Sequence, residues 1–423
     1  MADRKFEVPS LAWYGQKMIE LSFPEEWHVS FLPMESYSKP LIKSEEIVRA
    51  LREPIGTKPL RKLAEGKNDA VIVVDDMTRV TRAYQIIPYV LKELKDAGIS
   101  DDHIRFIMGG GLHGAWYRDD FSKKLGEDVV KNYPVYNHNP FSNCTYVGKT
   151  SRGTPVEINS EYHSCDLRIG IGSIVPHPMT GYGGGAKIIL PGIASYNMIF
   201  FNHMVVHRQN PPAESYWGFL EGNQTRADID EAGKIAGMDM KIDVLLNGVG
   251  DSTDVFAGDL QSEFLGGVKV AREHYSTKNV PQEADVIIAN TYAKANEATL
   301  AYSNWKNKVK KDGVMVIIAH APEGQSTHYL YGKFGLNEYA PGHSVPSKPP
   351  FKKLIIFSEY KTPDPFLPIA EKASMIWIDN WKEVIEEIKN TFNYNPRIIL
   401  LPNAEIQCDK KILEQPTSYG VSR

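Results

Sequence analysis

Ala70-Val-Ile-Val-Val74 runs directly into Asp75-Asp-Met-Thr-Arg79, and Ile104-Arg-Phe-Ile-Met108 runs directly into Gly109-Gly-Gly-Leu-His113. Between them Ile86, Ile87, Val90, Leu91 and Leu94 recur at helical spacing, and Gly98 follows as a helix-stop residue. Short β-branched runs, apolar on both faces and bounded by Gly, Asp or Asn, read as strands buried on both sides. Strand, helix, strand in that order is the unit of a parallel sheet. The rhythm continues through Leu167–Ile174, Val244–Leu246, Val286–Ala289, Val314–Ala319, Leu354–Phe357 and Ile398–Leu401.

The expected fold is α/β, with two domains that each hold a sheet covered by helices, and an active site in the cleft between them. A chain of 423 residues exceeds one ordinary core. Ser276-Thr-Lys-Asn-Val-Pro-Gln-Glu283 interrupts the pattern before a new strand. The expected division is therefore 1–278 for a catalytic, cofactor-binding domain and 279–423 for an α/β domain closing over the substrate. Residues 339–352 carry four prolines and read as a long surface loop.

With 42% hydrophobic and 24% charged residues, the composition is that of a globular protein, and a net charge of −4 gives no reason to expect nucleic acid as partner. No apolar run reaches the roughly 18 residues a membrane span needs, and the N-terminus lacks the apolar stretch of a signal peptide. Three scattered cysteines, 144, 165 and 408, fit a reducing compartment, so a cytoplasmic location is expected.

In open α/β sheets ligands bind beyond the carboxyl ends of strands. Three predicted strand ends deliver Asp75–Arg79, Gly109–His113 and Pro176-His177, which points to one shared site. Asp76, Thr78 and Arg79 offer an acceptor, a hydroxyl and a fork-shaped cation, suited to a ribose and phosphate or to a substrate carboxylate. The stretch Asp76–Arg79 also fits an aspartate cap beside a surface arginine. Glycines 181, 183, 184 and 185 precede Lys187, so backbone can approach a bulky ligand there. A phosphate-binding P-loop is excluded, because Ile188 stands where Ser or Thr is required. Ser195 is placed to cap a helix through His207. His203 and His207 share a face of it, but His-Met-Val-Val-His lacks the glutamate of a zinc hydrolase.

Taken together, Asp76-x-Thr-Arg79, Gly-Gly-Gly-Leu-His113, Pro-His177-Pro, Gly-Tyr-Gly-Gly-Gly-Ala-Lys187, Pro-Gly192 and Asn-His203 resemble the nickel-dependent lactate racemase family. The resemblance is strong through Phe256-Ala-Gly-Asp259 and weaker through His320-Ala-Pro-Glu-Gly324. It implies a nickel-pincer nucleotide, pyridinium-3,5-bisthiocarboxylic acid mononucleotide with nickel, covalently bound at Lys187. It further implies Gly183, Gly184 and Gly185 beneath the ring and His203 as nickel ligand. Asp76, Thr78 and Arg79 would then hold the nucleotide. His113 and His177 would be the two bases that exchange the hydroxyl proton, as C2 of a 2-hydroxy acid loses and regains hydride through a 2-keto acid. Histidine suits both roles near neutral pH. Separate cofactor-synthesising enzymes are implied as maturation partners.

The sequence departs from the family where an arginine ordinarily follows the first histidine, since Gly114-Ala-Trp116-Tyr117 stands here. The family's substrate-facing glutamine and lysine align with Leu300 and Ser303, and Lys306 follows. Arg79, Trp116 and Lys306 are thus the expected substrate contacts, with a larger hydroxy acid or sugar acid such as gluconate as the expected substrate. Lactate or malate racemisation, and a non-catalytic carrier of the nucleotide, are the alternatives.

Overall fold

The computed structural model describes residues 4–209, 216–330, 348–362 and 375–413. Most of the proline-rich stretch at 339–352 lies outside them. Strand β1 (His28–Phe31) belongs to one six-stranded sheet. The other sheet is built from β2 (Ala70–Asp75), β3 (Ile104–Gly109), β4 (Val135–Asn137), β5 (Leu167–Ser173), β6 (Met240–Leu246) and β7 (Ser252–Gly258). Its spatial order is β7-β6-β5-β2-β3-β4, with every pairing parallel except β6 with β7.

The centre of this sheet is legible in its side chains. Ala70 to Val74 are fully buried, as are Ile169 and Ile171 next door. Burying one Val or Ile contributes about 1.5–3 kcal/mol, so strands covered on both faces are held by apolar contact as well as by the ladder. Helix α1 (Ile87–Asp96) buries Ile87, Val90, Leu91 and Leu94, carries Pro88 in its first turn and is followed by Gly98 at φ +99°. Register then decides the site. Asp75 pairs with Gly109, and Val74 with Ile171. The carboxyl ends of β2, β3 and β5 therefore share one edge.

The remaining strands are β8 (Ala284–Asn290), β9 (Val309–Ile318), β10 (Lys353–Phe357), β11 (Met375–Ile378) and β12 (Arg397–Leu401). With β1 they form an all-parallel sheet in the order β11-β10-β9-β8-β12-β1. One face packs Ala301, Trp305, Met315 and Ile356, and the other packs Phe23, Trp27, Val316 and Leu400. At its carboxyl edge Glu405 accepts the backbone N–H groups of Tyr292, Ala293 and Lys294 at 3.0, 2.6 and 3.2 Å. Burial pushes the Glu405 carboxyl up to about 7, with those N–H donors opposing.

Compact units do not follow a single cut at residue 278. One unit comprises Lys39–Asn247 with Asp251–His274, and the other joins the residues through Ser38 and Gly248–Gly250 to those from Tyr275 onward. The first 38 residues are thereby corrected from the N-terminal half to the C-terminal one. The cause is the pairing of β1 with β12, His28 to Phe31 against Arg397 to Leu400, which extends an otherwise unfinished sheet edge. Among the described residues, no helix is long and apolar enough to cross a membrane.

Candidate functional site

Just past β2, Asp76 is 3% exposed and engages the chain through both oxygens. Oδ1 accepts from the Thr78 backbone N–H at 3.1 Å and the Thr78 hydroxyl at 2.5 Å. Oδ2 lies 2.6 Å from Nδ1 of His113. Burial by itself would push this carboxyl up. The charge and hydrogen bond of His113, then Arg79 and Thr78, outweigh that and hold it well below the usual carboxylate range. An ionised Asp76 can only accept, so Nδ1 of His113 carries a proton, and Nε2 offers a lone pair whenever the ring is neutral. The structure thus gives Asp76 partners within the protein, Thr78 and His113. Arg79 donates through Nη1 to the Thr78 hydroxyl at 2.7 Å and to its carbonyl at 3.0 Å.

The Asp76–Arg79 turn is held from below by Lys124 of α2 (Arg118–Leu125), a residue the sequence reading missed. It is completely buried, and its Nζ donates to the carbonyls of Asp76 at 2.9 Å and Arg79 at 2.7 Å and lies 2.6 Å from Asp75 Oδ1. Burial pushes the ammonium pKa down and Asp75 pulls it back. Sequence spacing offered one faint signal, a lysine beside Phe121 and Leu125 on the helix's buried face.

His113 reaches Asp76 because the chain turns tightly at Gly111, whose φ is +54° and whose N–H donates to the Gly192 carbonyl at 2.9 Å. A Cβ at Gly111 would stand 3.0 Å from the Pro191 carbonyl oxygen. The glycine-rich segment after β3 is therefore packed directly upon Pro191-Gly192, which follows Lys187.

His177 stands in a two-residue antiparallel bridge, opposite Gly181. Its Nδ1 lies 3.2 Å from the backbone N of Met179 and 3.4 Å from that of Thr180; Nε2 is the other ring nitrogen. That nitrogen lies 3.2 Å from Nζ of Lys187, which also reaches the Thr180 hydroxyl at 3.4 Å. Lys187 sits in a 3-10 turn, Gly185–Ile188, anchored by the Gly185 N–H on Asp243 Oδ2 at 2.6 Å. Asp243 and its ion-pair partner Lys241 are fully buried in β6, and Glu263 is buried beside them. Burial and then the neighbouring Asp243 push the Glu263 carboxyl well up. None of these three was foreseen, because Lys-Ile-Asp in a strand reads as alternation with a solvent face.

Gly184 and Gly185 have φ of +83° and +55°. Cβ atoms there would meet Ile174 at 2.6 Å and Asp243 at 2.8 Å, or Phe264 and Arg226 at 2.8 Å. These two glycines let the loop rest on the protein's own interior. Gly183, with nothing nearer than 3.5 Å, has ordinary room for a Cβ. Asp76, Arg79, His113, Gly183, Lys187 and Gly192 line one cleft, with Asp243 and Lys241 also on its wall.

Ser195 caps the next helix as expected, accepting the Met198 N–H, but α3 (Tyr196–Phe200) passes into a π-helix over Phe201–Val206. Such widened turns are rare and recur at functional sites. His203 lies inside it, 5% exposed, on a segment that packs, as the Lys187 turn does, against α4 (Gln224–Ala236). His207 instead bonds the Thr225 hydroxyl at 3.0 Å, and burial pushes its pKa down. It is the packing member of the pair.

Trp116 lies beyond His113, its backbone clamped by Asn137, whose Oδ1 accepts from Trp116 N at 3.2 Å while Nδ2 donates to its carbonyl at 2.8 Å. Lys306 lies away from the carboxyl edge of its own sheet. It immediately precedes β9, at the amino end of the sheet, with Nζ 5.5 Å from the Tyr302 ring centre. The loops at the opposite edge carry Thr291–Asn296 and Ala319–Gln325.

A parallel α/β sheet thus brings an imidazole–carboxylate pair and an imidazole–amine pair to one edge. The lactate racemase N-terminal domain matches residues 14–215. A lactate racemase of Thermoanaerobacterium thermosaccharolyticum is 30% identical over 338 residues, 78% of this chain and 77% of that protein. One from Lactiplantibacillus plantarum is 28% identical over 331 residues, 75% and 76% respectively. The chain belongs to the lactate racemase family. Among solved structures, the T. thermosaccharolyticum lactate racemase apoprotein shares the fold with a TM-score of 0.73 at 24% identity, over 96% of this chain and 100% of that one. A Thermotoga maritima protein does so with a TM-score of 0.63 at 17% identity, over 88% and 100%.

Proposed function

We propose that this protein inverts C2 of a 2-hydroxy acid with a nickel-pincer nucleotide attached at Lys187. The observation that carries the reading is the pair of differently held histidines at one strand edge. His113 is held by Asp76 through Nδ1, and His177 is held by backbone N–H groups with Nε2 beside the Lys187 amine.

The residues present fit such a nucleotide. Lys187 brings an amine to the cleft wall beside Gly183, and Arg79 brings a guanidinium suited to a phosphate or carboxylate. Among the described residues no three His, Cys, Asp or Glu side chains are grouped as metal donors. His203 would thus serve as a single imidazole ligand completing a nickel site whose other donors arrive with the nucleotide. When bound, that group supplies the hydride acceptor at C2. The chain's own residues manage the proton: Nε2 of His113 takes the hydroxyl proton of one enantiomer, and the Asp76 carboxylate stabilises the imidazolium that results. Nε2 of His177 serves the other enantiomer, and Arg79 holds the carboxylate. A sugar acid such as gluconate is the proposed substrate, ahead of lactate or malate. Cofactor-making enzymes are the proposed maturation partners.

The test is intact mass, nickel content and chiral product analysis after co-expression with those enzymes. His113→Ala and His177→Ala are expected to keep the added mass at Lys187 while turnover falls by about 10²–10⁴. Unchanged turnover in both variants, or a loaded preparation with neither added mass nor nickel, overturns the reading.

A further inference from the structure

Trp116 carries an indole N–H that the fold leaves without use. Nε1 is buried and makes no hydrogen bond with any described residue. The ring is not loosely placed, because Asn137 clamps the Trp116 backbone through both its N–H and its carbonyl. Its location follows from Gly110. A Cβ at that position would lie 4.0 Å from Trp116 Nε1 and 3.7 Å from Asp76 Oδ2. Gly110, Asp76 and His113 all line the cleft. Because residue 110 has no side chain, the indole donor and Asp76 lie on either side of a position that a Cβ would occupy, next to the cleft.

Chemistry narrows what the donor takes. Asp76 is already engaged by His113 and Thr78 through both oxygens. A substrate carboxylate is better served by Arg79, which is charged and forked. An indole N–H is neutral and offers a single bond, which matches a hydroxyl oxygen. We propose that Trp116 Nε1 donates to an oxygen substituent on C3 or beyond, making the enzyme selective for 2,3-dihydroxy and polyhydroxy acids over lactate. This inference rests on the hydroxy-acid reading above and names the specificity residue of that site. The methyl group of lactate has nothing to accept the bond, so with lactate the N–H stays unpaired.

Glycerate and lactate differ by that one hydroxyl and form the minimal pair. In nucleotide-loaded enzyme the ratio of kcat/KM for glycerate over lactate is expected to fall roughly tenfold to a hundredfold in Trp116→Phe, which keeps the ring and removes the N–H. A second measurement needs no turnover. In protein labelled with ¹⁵N at its seven tryptophans, the indole peak absent from Trp116→Phe is expected to move downfield with glycerate and to stay in place with lactate. If the phenylalanine variant does not fold, Trp116→Tyr identifies the peak. Loaded enzyme that racemises both acids with a ratio within twofold of wild type in the variant overturns the inference and leaves the function standing. Protein that takes up no nucleotide and racemises neither acid overturns the function. In that case a glycerate-induced shift supports the donor site, and a stationary peak ends it too.

Discussion

Lys124→Met replaces a fully buried ammonium by an apolar chain of similar length. Three partners lose their donor at once: the Asp75 carboxylate at 2.6 Å and the carbonyls of Asp76 and Arg79 at 2.9 and 2.7 Å. Breaking a buried ion pair on one side costs about 3–5 kcal/mol, and each stranded carbonyl about 1–3 kcal/mol, with partial overlap between them. Asp75 is not stranded altogether, since Thr81 still donates to its Oδ2 at 2.6 Å. The expected loss is therefore about 3–5 kcal/mol, a large part of the roughly 5–15 kcal/mol that holds an ordinary domain together. Urea unfolding of the unloaded protein measures it. Asp75→Asn in the same background removes the uncompensated charge, and the double variant is expected to recover about 2 kcal/mol of the loss. A single variant within about 1 kcal/mol of wild type would refute the claim that Lys124 holds the Asp76–Arg79 turn.

Two further outcomes follow from the geometry. Gly184→Ala adds a Cβ at φ +83° that would stand 2.6 Å from Ile174 and 2.8 Å from Asp243. It is expected to destabilise the Lys187 turn by more than about 1 kcal/mol and to reduce nucleotide uptake, read by unfolding and intact mass. Glu405 titrates at about 7 in the fold against about 4.3 in an unfolded chain, so the folded state binds the extra proton in that window. Its contribution is complete below about pH 4.3 and is lost as pH rises through 7. Glu405→Gln is expected to flatten stability between pH 5 and 8, and a parallel pH slope in both proteins would count against the assignment.

By itself the sequence determined the strands and the loops that leave them. Ala70–Val74 and Ile104–Met108 are apolar on both faces, a property local to the chain, and parallel register then forces Asp76, His113 and His177 toward one edge. What depends on contacts remote along the chain had no local signature. β1 joins β12 across about 370 residues, Lys241, Asp243 and Glu263 form a buried ionisable cluster from separate elements, and Asp76 turns inward to His113. The Phe201–Val206 segment widens to a π-helix although its residue pattern suits an α-helix. Apolar periodicity reports which face of an element is buried. It does not report which buried charges meet, since a charge is tolerated in the interior only where a partner arrives from elsewhere, and only the tertiary structure supplies that partner.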